Sequence, residues 1–559
     1  MRIIPDDVKS IAALSENVID GALLLDDPWS DRMVRQQAFA YKEEIYNRVL
    51  IKISNALNKQ HGVDYSVRYW AIICGPWLRQ FINRIYHFWS CVEKINNEKP
   101  YIFEVPNVNH KDFVPQDYRG FINIARTQLW NQIINGQIFA RNGLVVNHAK
   151  YVQTAKEVPE DVSRKSAFKK IIEMLARSVR VLGKKEVVLI STGLDWFLKL
   201  KLMIKFREPL YFVDDKFKSP SFDYSKSLRK DFWQVLKSDI SDSTKFETCL
   251  LDMVTFNLPR SYLEGYLATK TLACQCGFPK NPRVILASWT IENEVFKAYV
   301  ASKIEDGTKL CILCHGGECH LYSDYHNHEL EVCDRYYTWG WAGPSEKQFP
   351  GYRLRNSKKA KVTGDEPSLL LILTDIQCNI EYLSSVPSYE QYLKEYIADQ
   401  IAFIGFLDPA LSSILNVRLA ETLFSVAEEK IEEKFPGLNF IYRNKPLAPF
   451  LASTRISILS YNQTSLVESM ASGRPTVIFF RPESHEMNAL SDAVYQALQS
   501  CGIFHNTPLS AAKHINSIWN DVNTWWRSPE VRQARAVYCD AFGRDSKTPV
   551  KHICEFIKF

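Results

Sequence analysis

The chain has 559 residues, 46% of them hydrophobic, 13% aromatic and 24% charged, a globular composition that excludes general disorder. At about 150 residues per domain, this length implies two to four domains. The formal net charge of +6 is mild, and suits anionic small substrates or a membrane surface rather than a nucleic-acid coat. No uncharged apolar run approaches the roughly 18 residues of a membrane-crossing helix. The start, Met1-Arg2-Ile3-Ile4-Pro5-Asp6-Asp7, lacks the apolar stretch of a secretory signal. The 13 cysteines are scattered, many within apolar segments, so a cytoplasmic chain with reduced thiols is expected.

Residues 1–150 read as mostly helical. Apolar residues recur at helical spacing from Ala38 to Lys59, at Ile45, Val49, Leu50, Ile53 and Leu57. A second helix is expected from about Tyr69 to Lys94, interrupted at Gly75-Pro76. Its aromatics interleave with Arg68, Arg79, Arg84 and Lys94. That pattern fits a large buried helix, or else a docking surface for a membrane or partner.

From Phe168 the pattern changes to alternating helices and short apolar strands. A helix is expected over Phe168–Val181 and a strand over Glu186–Ser191. Further helices include Pro259–Gln275. Strand Arg283–Ala287, helix Ile291–Ser302, strand Lys309–Cys314 and a strand within Asp334–Trp339 follow. Residues 351–367 are polar, basic and bounded by Gly and Pro, and read as a linker. The alternation then restarts with strand Ser368–Thr374, helix Tyr389–Phe403, strand Ser413–Val417 and helix Ala420–Phe435. Strands Ile456–Ser460 and Thr476–Phe480 flank a helix at about Ser465–Ser472, and helices close the chain. The expected class is α/β with parallel sheets. The expected domains are a helical region over 1–150, packed on or inserted in the first α/β unit, a unit over 151–355, and a second unit over 356–559.

Three segments could carry chemistry. Cys311-Ile312-Leu313-Cys314-His315 matches the haem-attachment pattern, but strand alternation sends the two thiols to opposite faces, so neither haem nor zinc is expected. In the same place His315-Gly316-Gly317-Glu318 follows a strand directly. The two glycines let backbone N–H groups approach a phosphate or sugar carboxylate, and His315 can exchange a proton with a reacting oxygen. The third segment runs from Ser460 to Val477. A strand ends, a polar loop turns, a helix begins near Ser465 and Gly473 stops it. Gln463, Thr464 and Ser465 at that helix start suit an anion, with Glu468 one turn on. The plainer reading is a capped helix. Among the carboxylates near these loops, Glu292 and Asp334 are the candidate catalytic partners of His315.

Taken together, the His-Gly-Gly turn, Asp334-Arg335-Tyr336-Tyr337-Thr338-Trp339-Gly340-Trp341, and the stretch from Asn462 to Phe480 resemble bacterial surface-polysaccharide transferases of lipopolysaccharide and capsule gene clusters. Residues 61–81, 130–132 and 258–266 add to the resemblance, which covers roughly residues 40–540. More distantly the chain is similar to retaining β-Kdo transferases, which use CMP-Kdo, and to glycerophosphotransferases of teichoic-acid type. Where the family commonly has Gln before His-Gly-Gly, this chain has Cys314. The resemblance implies a GT-B-like fold, two Rossmann-like domains facing across a cleft with additional N-terminal helices. It implies a glycosyltransferase moving a sugar from a nucleotide-activated donor, with a CMP-sugar as the favoured donor, to a polysaccharide or lipopolysaccharide acceptor. Gln463, Thr464, Ser465, Glu468 and Gly473 would hold the nucleotide. His315, Glu292 and Asp334 would serve the chemistry, with Gly316 and Gly317 along the donor. No Asp-x-Asp or Walker motif occurs, so neither metal nor cofactor is expected. Peripheral contact with the inner face of the cytoplasmic membrane is a further expectation. The alternatives are a CDP-polyol phosphotransferase and a non-catalytic scaffold of a polysaccharide assembly complex.

Overall fold

The structure is a computed structural model. It describes residues 2–3, 22–23, 28–93, 102–149, 186–190, 196–206, 210–211, 220–238, 240, 242–288, 292–316, 324–353, 368–376, 387–419, 425–442, 445–485, 487 and 489–559. The expected helix at 168–181 and most of the linker, 354–367, lie outside them.

After a short parallel strand pair at Arg2–Ile3 and Ala22–Leu23, two long helices follow, α1 (Arg32–His61) and α2 (Val67–Glu93). Asp31 caps α1 by accepting from the amide of Val34, and Gly62 ends it in the left-handed region at φ 63°. The interruption expected at Gly75-Pro76 does not occur, and α2 runs through both residues. Gly75 is required there, because a Cβ would lie 2.7 Å from the Tyr46 hydroxyl. Of the 27 residues in α2, 22 are buried, including Arg79 and Arg84. That decides against the docking-surface reading of this helix. Its cations are spent internally: Arg79 donates to Glu43 and Glu331 and stacks over the Tyr46 ring at 3.7 Å. Strands β1 (Ile102–Pro106) and β2 (Val145–Ala149) form a small parallel pair that the helical reading of 1–150 did not include.

The first large sheet holds β3 (Val187–Ile190), β4 (Leu210–Tyr211), β5 (Val284–Ala287), β6 (Lys309–Leu313), β7 (Arg335–Tyr337) and β8 (Gln348–Phe349). Its order is β8-β7-β6-β5-β3-β4, all parallel. Alternation splits its side chains between two cores. Val187, Leu189, Val284, Leu286, Cys311 and Leu313 face one way. Val188, Ile190, Ile285, Ala287, Leu310 and Ile312 face the other, toward α2 and helix α3 (Glu294–Glu305). Helix α4 (Asp324–Val332) also packs on α2. A buried ion pair secures this layer. Lys297 Nζ lies 2.9 Å from Glu294 and donates to the Ile73 carbonyl of α2 and the Tyr262 hydroxyl, each at 2.9 Å. Glu294 also accepts from the Tyr118 amide and the Tyr262 hydroxyl. Burial pushes the Glu294 carboxyl up, against the pull of Lys297.

The second sheet holds β9 (Leu369–Ile372), β10 (Leu415–Arg418), β11 (Asn439–Ile441), β12 (Ile456–Leu459), β13 (Thr476–Phe479) and β14 (Phe504–His505). Its order is β11-β10-β9-β12-β13-β14, again all parallel, with Leu371 opposite Ile458. This is the doubly wound Rossmann order, which reverses between β9 and β12. The chain is thus α/β with two Rossmann-like units and an N-terminal helical layer. The fully buried strands β3, β5, β9, β12 and β13, the first three of them continuous apolar runs, are what two covered faces demand.

Helix α5 (Ile397–Phe406) follows a π-helical stretch at Tyr392–Tyr396. After α6 (Thr464–Ser472) and β13 the chain ends in helices that include α7 (Pro529–Phe542) and α8 (Pro549–Phe556). The last of these returns to the first sheet. Ile553, Phe556 and Ile557 join the core made by Val187, Leu189 and Tyr337.

Candidate functional site

In the first unit β6 delivers Cys314 and His315 at its carboxyl end. Cys311 and Cys314 lie in different cores, so the two thiols diverge as strand alternation requires. The peptide before the histidine is pinned. The Cys314 amide donates to Tyr337 at 2.9 Å, its carbonyl accepts from the Trp339 indole at 3.0 Å, and its thiol donates to the Gly316 carbonyl at 3.0 Å. The His315 side chain is 21% exposed, and its Nδ1 atom is buried 3.8 Å from Glu329 Oε1. Glu329, on α4, is buried and accepts from the Tyr336 hydroxyl at 3.0 Å. Gly316 is buried; Gly317 lies outside the described residues.

Of the two carboxylates expected beside His315, Glu292 lies in the segment after β5, 44% exposed and 4.0 Å from Arg119, and Asp334 is at the opposite, amino end of the sheet. It accepts from the Leu310 amide and Arg68, each at 2.8 Å, with Lys309 at 3.4 Å. From Leu310 to His315 the strand covers roughly 16 Å at about 3.3 Å per residue. Burial acts to raise the Asp334 pKa, but the hydrogen bonds and charges of Arg68, Leu310 and Lys309 hold it below the usual carboxylate value. Asp334 is an anchor for α2, not a neighbour of His315.

In the second unit the predicted residues fall at the switch point. The loop after β12 is Ser460-Tyr461-Asn462-Gln463, and α6 begins at Thr464. Gln463 is the N-cap and makes no side-chain cap hydrogen bond. Thr464, Ser465 and Glu468 are partly exposed on the first turns. Asn462 is 6% exposed, and its buried side-chain nitrogen has no hydrogen-bond partner among the described residues. Gly473 does not join them. It sits at the other end of α6 in the left-handed region at φ 80°, and its carbonyl accepts from the Trp526 indole at 2.8 Å.

Sequence reading missed the residues that shape this loop. The π-helical stretch sends two stacked tyrosines onto the strand ends. The Tyr396 hydroxyl accepts from the Thr374 amide at 2.9 Å and lies 2.5 Å from Ser460 Oγ, joining the β9 and β12 ends. The Tyr392 hydroxyl donates to Asp375 at 2.6 Å. Burial pushes the Asp375 carboxyl up, opposed by the bonds from Tyr392 and Ser425. The visible signal was two tyrosines four apart, Tyr392 and Tyr396, the first of them twenty residues beyond the end of β9. Beside them Arg481 forms a two-pronged pair with Asp399 at 2.7 and 2.8 Å.

A continuous set of contacts ties the two regions together. Trp339, which holds Cys314, accepts at its carbonyl from the Arg544 amide at 2.9 Å. Gly340, at φ 142°, leaves room for the Asp540 carbonyl, which would lie 2.3 Å from a Cβ. A Cβ on Gly543 would lie 2.8 Å from Val467 on α6. Residues 540–544 are therefore wedged between the Trp339 loop and the first turn of α6.

Residues 19–557 match the family model described as LIC12162 family transferase. No curated protein matches the chain. Among solved structures, the Staphylococcus aureus MnaA–UDP co-structure is 10% identical, with 67% of this chain and 96% of that chain covered and a TM-score of 0.36. Acinetobacter baumannii MurG is 11% identical, with 70% and 95% covered and a TM-score of 0.32. A Thermobaculum terrenum O-GlcNAc transferase mutant is 11% identical, with 88% and 82% covered and a TM-score of 0.33.

Proposed function

The chain belongs to the LIC12162 family of transferases, and from that premise we propose that it transfers a sugar from a nucleotide-activated donor to a cell-surface glycan. The observation that carries this reading is the switch point of the second sheet. There a nine-residue helix starts without a side-chain cap, beside the buried, unpaired amide of Asn462. Amide donors and a helix dipole converging at that place suit a phosphate. In this reading Asn462, Gln463, Thr464 and Ser465 meet the donor phosphate, and Glu468 meets the ribose. Asp334 and Gly473 are not carried forward, given where they lie, while Glu292 stays a candidate carboxylate.

His315 is the proposed base. Its Nε2 takes the proton of an acceptor hydroxyl as that oxygen bonds to the anomeric carbon. The bond from that carbon to the phosphate oxygen breaks, and its electron pair leaves with the nucleotide. The helix start and neighbouring side chains take up the leaving charge, so no divalent cation is invoked. A CMP-sugar is the first donor to test, with the lipopolysaccharide or capsule acceptor met at the inner face of the cytoplasmic membrane. No helix among the described residues is long and apolar enough to cross a membrane.

The test is titration of the full chain with CMP, UDP and GDP, followed by turnover with the matching sugars. Binding of one nucleotide is expected, with a stabilisation of about 2.7 kcal/mol at one hundred times Kd. Absence of binding by all three at millimolar concentration overturns the reading. Glu468→Ala should lose nucleotide affinity, and His315→Ala should lose turnover while keeping it. Phosphorus in the glycan product would instead show polyol-phosphate transfer.

A further inference from the structure

A cavity of about 270 Å³, counting its open mouth, lies at the carboxyl ends of β12 and β13, walled in part by Pro387, Tyr396, Ser460 and Phe480. The two cores of the second unit fix which side of the sheet it occupies. Phe403 and Ile404 of α5 share one core with Ile456, Ile458 and Phe479. Leu466, Val467 and Met470 of α6 share the other with Leu459 and Ile478. Helices α5 and α6 therefore cover opposite faces. The helical lining of the cavity comes from the π-helical stretch and α5, so it opens on the face opposite Glu468.

Two buried acceptors in this lining lack a donor. Gln400 is 1% exposed, and its side-chain nitrogen donates to the Tyr396 carbonyl at 3.1 Å. That bond fixes the amide orientation, and leaves Oε1 with no hydrogen-bond partner among the described residues. His485 is 2% exposed, with Nδ1 3.2 Å from the Arg481 carbonyl. A carbonyl only accepts, so Nδ1 carries the proton and Nε2 is a lone pair, again without a partner among the described residues. Burial lowers the His485 pKa to about 4, which keeps the ring neutral at pH 7. Arg481, a cation in the same lining, is already taken by both oxygens of Asp399 at 2.7 and 2.8 Å. The cavity thus asks for hydrogen-bond donors, since a buried acceptor left bare is costly.

We propose that this cavity seats a hydroxyl of the sugar being transferred, with Gln400 Oε1 and His485 Nε2 as the acceptors of donated hydrogens. The inference rests on the donor reading of the α6 loop. With the phosphate at the start of α6 and the ribose at Glu468, the group beyond the phosphate extends over the strand ends to the opposite face. Ser460 belongs both to that loop and to the cavity wall. The substrate class follows. The donor carries a polyhydroxylated sugar, and the hydrogen of one hydroxyl, not only its bulk, is recognised. A bound water could supply the same hydrogens and is the competing occupant.

The experiment is calorimetric titration of the full chain with CMP, UDP and GDP and with CMP-N-acetylneuraminate, UDP-glucose and GDP-mannose. Analogues of the tightest-binding conjugate follow, with one sugar hydroxyl at a time replaced by fluorine, which is compact and polar but donates no hydrogen. In the wild type, one replacement should weaken binding at least tenfold. In Gln400→Leu or His485→Phe that analogue and its parent should bind within threefold of each other, while free-nucleotide Kd changes less than threefold. If no fluorine replacement costs the wild type more than threefold, the cavity holds water and the proposal is overturned. A penalty that persists unchanged in both variants overturns it as well. Nucleotide binding survives either of those failures. Absence of binding by all three nucleotides is instead the failure of the donor reading, and the inference falls with it.

Discussion

The Trp339 indole donates to the Cys314 carbonyl at 3.0 Å, across 25 residues and at the end of the strand that carries His315. Both groups are buried. Trp339→Phe keeps most of the ring and deletes the donor, leaving a buried carbonyl short of its partner. A loss of about 1–3 kcal/mol in urea unfolding is expected. Turnover should fall more than nucleotide affinity, because the displaced peptide bears the histidine and not the phosphate loop.

Asn462 gives the opposite balance. Its buried nitrogen has no hydrogen-bond partner among the described residues, so replacing it costs little in folding. Asn462→Leu should leave the melting temperature of the free chain unchanged or raised. Nucleotide Kd should rise about tenfold, equivalent to about 1.4 kcal/mol. Calorimetric titration checks both halves, and an unchanged Kd would remove Asn462 from the phosphate site.

Gly340 sits at φ 142°, and a Cβ would lie 2.3 Å from the Asp540 backbone carbonyl. Gly340→Ala therefore combines backbone strain with a clash against an atom that has little freedom to move. A destabilisation of about 1–3 kcal/mol is expected. Limited proteolysis should show faster cutting around residues 540–544 than at the centre of either sheet.

His485 sets a pH dependence. Burial, reinforced by the Arg35 charge, lowers its pKa to about 4, against a hydrogen bond with the Arg481 carbonyl that acts to raise it. The unfolded chain, with a pKa near 6.5, binds the proton more readily over this interval. Stability is therefore full above about pH 6.5 and falls as the pH drops toward 4. Between pH 7 and pH 5 this one group should remove about 2 kcal/mol. In urea unfolding, His485→Asn should narrow its gap to the wild type over that range. A constant gap would exclude His485 as the source.

The central strands were legible because burial on both faces writes them as continuous apolar runs. Val187–Ile190, Val284–Ala287, Leu369–Ile372 and Thr476–Phe479 lie inside the segments read as strands. Within the two large sheets, the four strands not foreseen, at Leu210, Gln348, Asn439 and Phe504, are the four edges. Each has only two or three residues and one neighbouring strand, so its composition differs little from loop. The loop before α6 was legible because helix starts and stops are local signals. Glu329, Tyr336, Tyr392 and Tyr396 were not, because each acts on a residue from a different strand or helix. Asp334 misled for the same reason. A carboxylate beside a strand in sequence carries no sign of which end of the sheet it occupies.

The return of α8 to the first sheet has a consequence for biosynthesis. Strands β3 to β8 are all made by residue 349, yet Ile553, Phe556 and Ile557 help cover one of their faces. At about 5–20 residues per second, the intervening roughly 200 residues take about 10–40 s to translate. Through that interval Val187, Leu189, Val284 and Leu286 lack part of their cover. The unit begun first is finished last, and a ribosome stalled in the second unit would present a nascent chain with a chaperone-binding face.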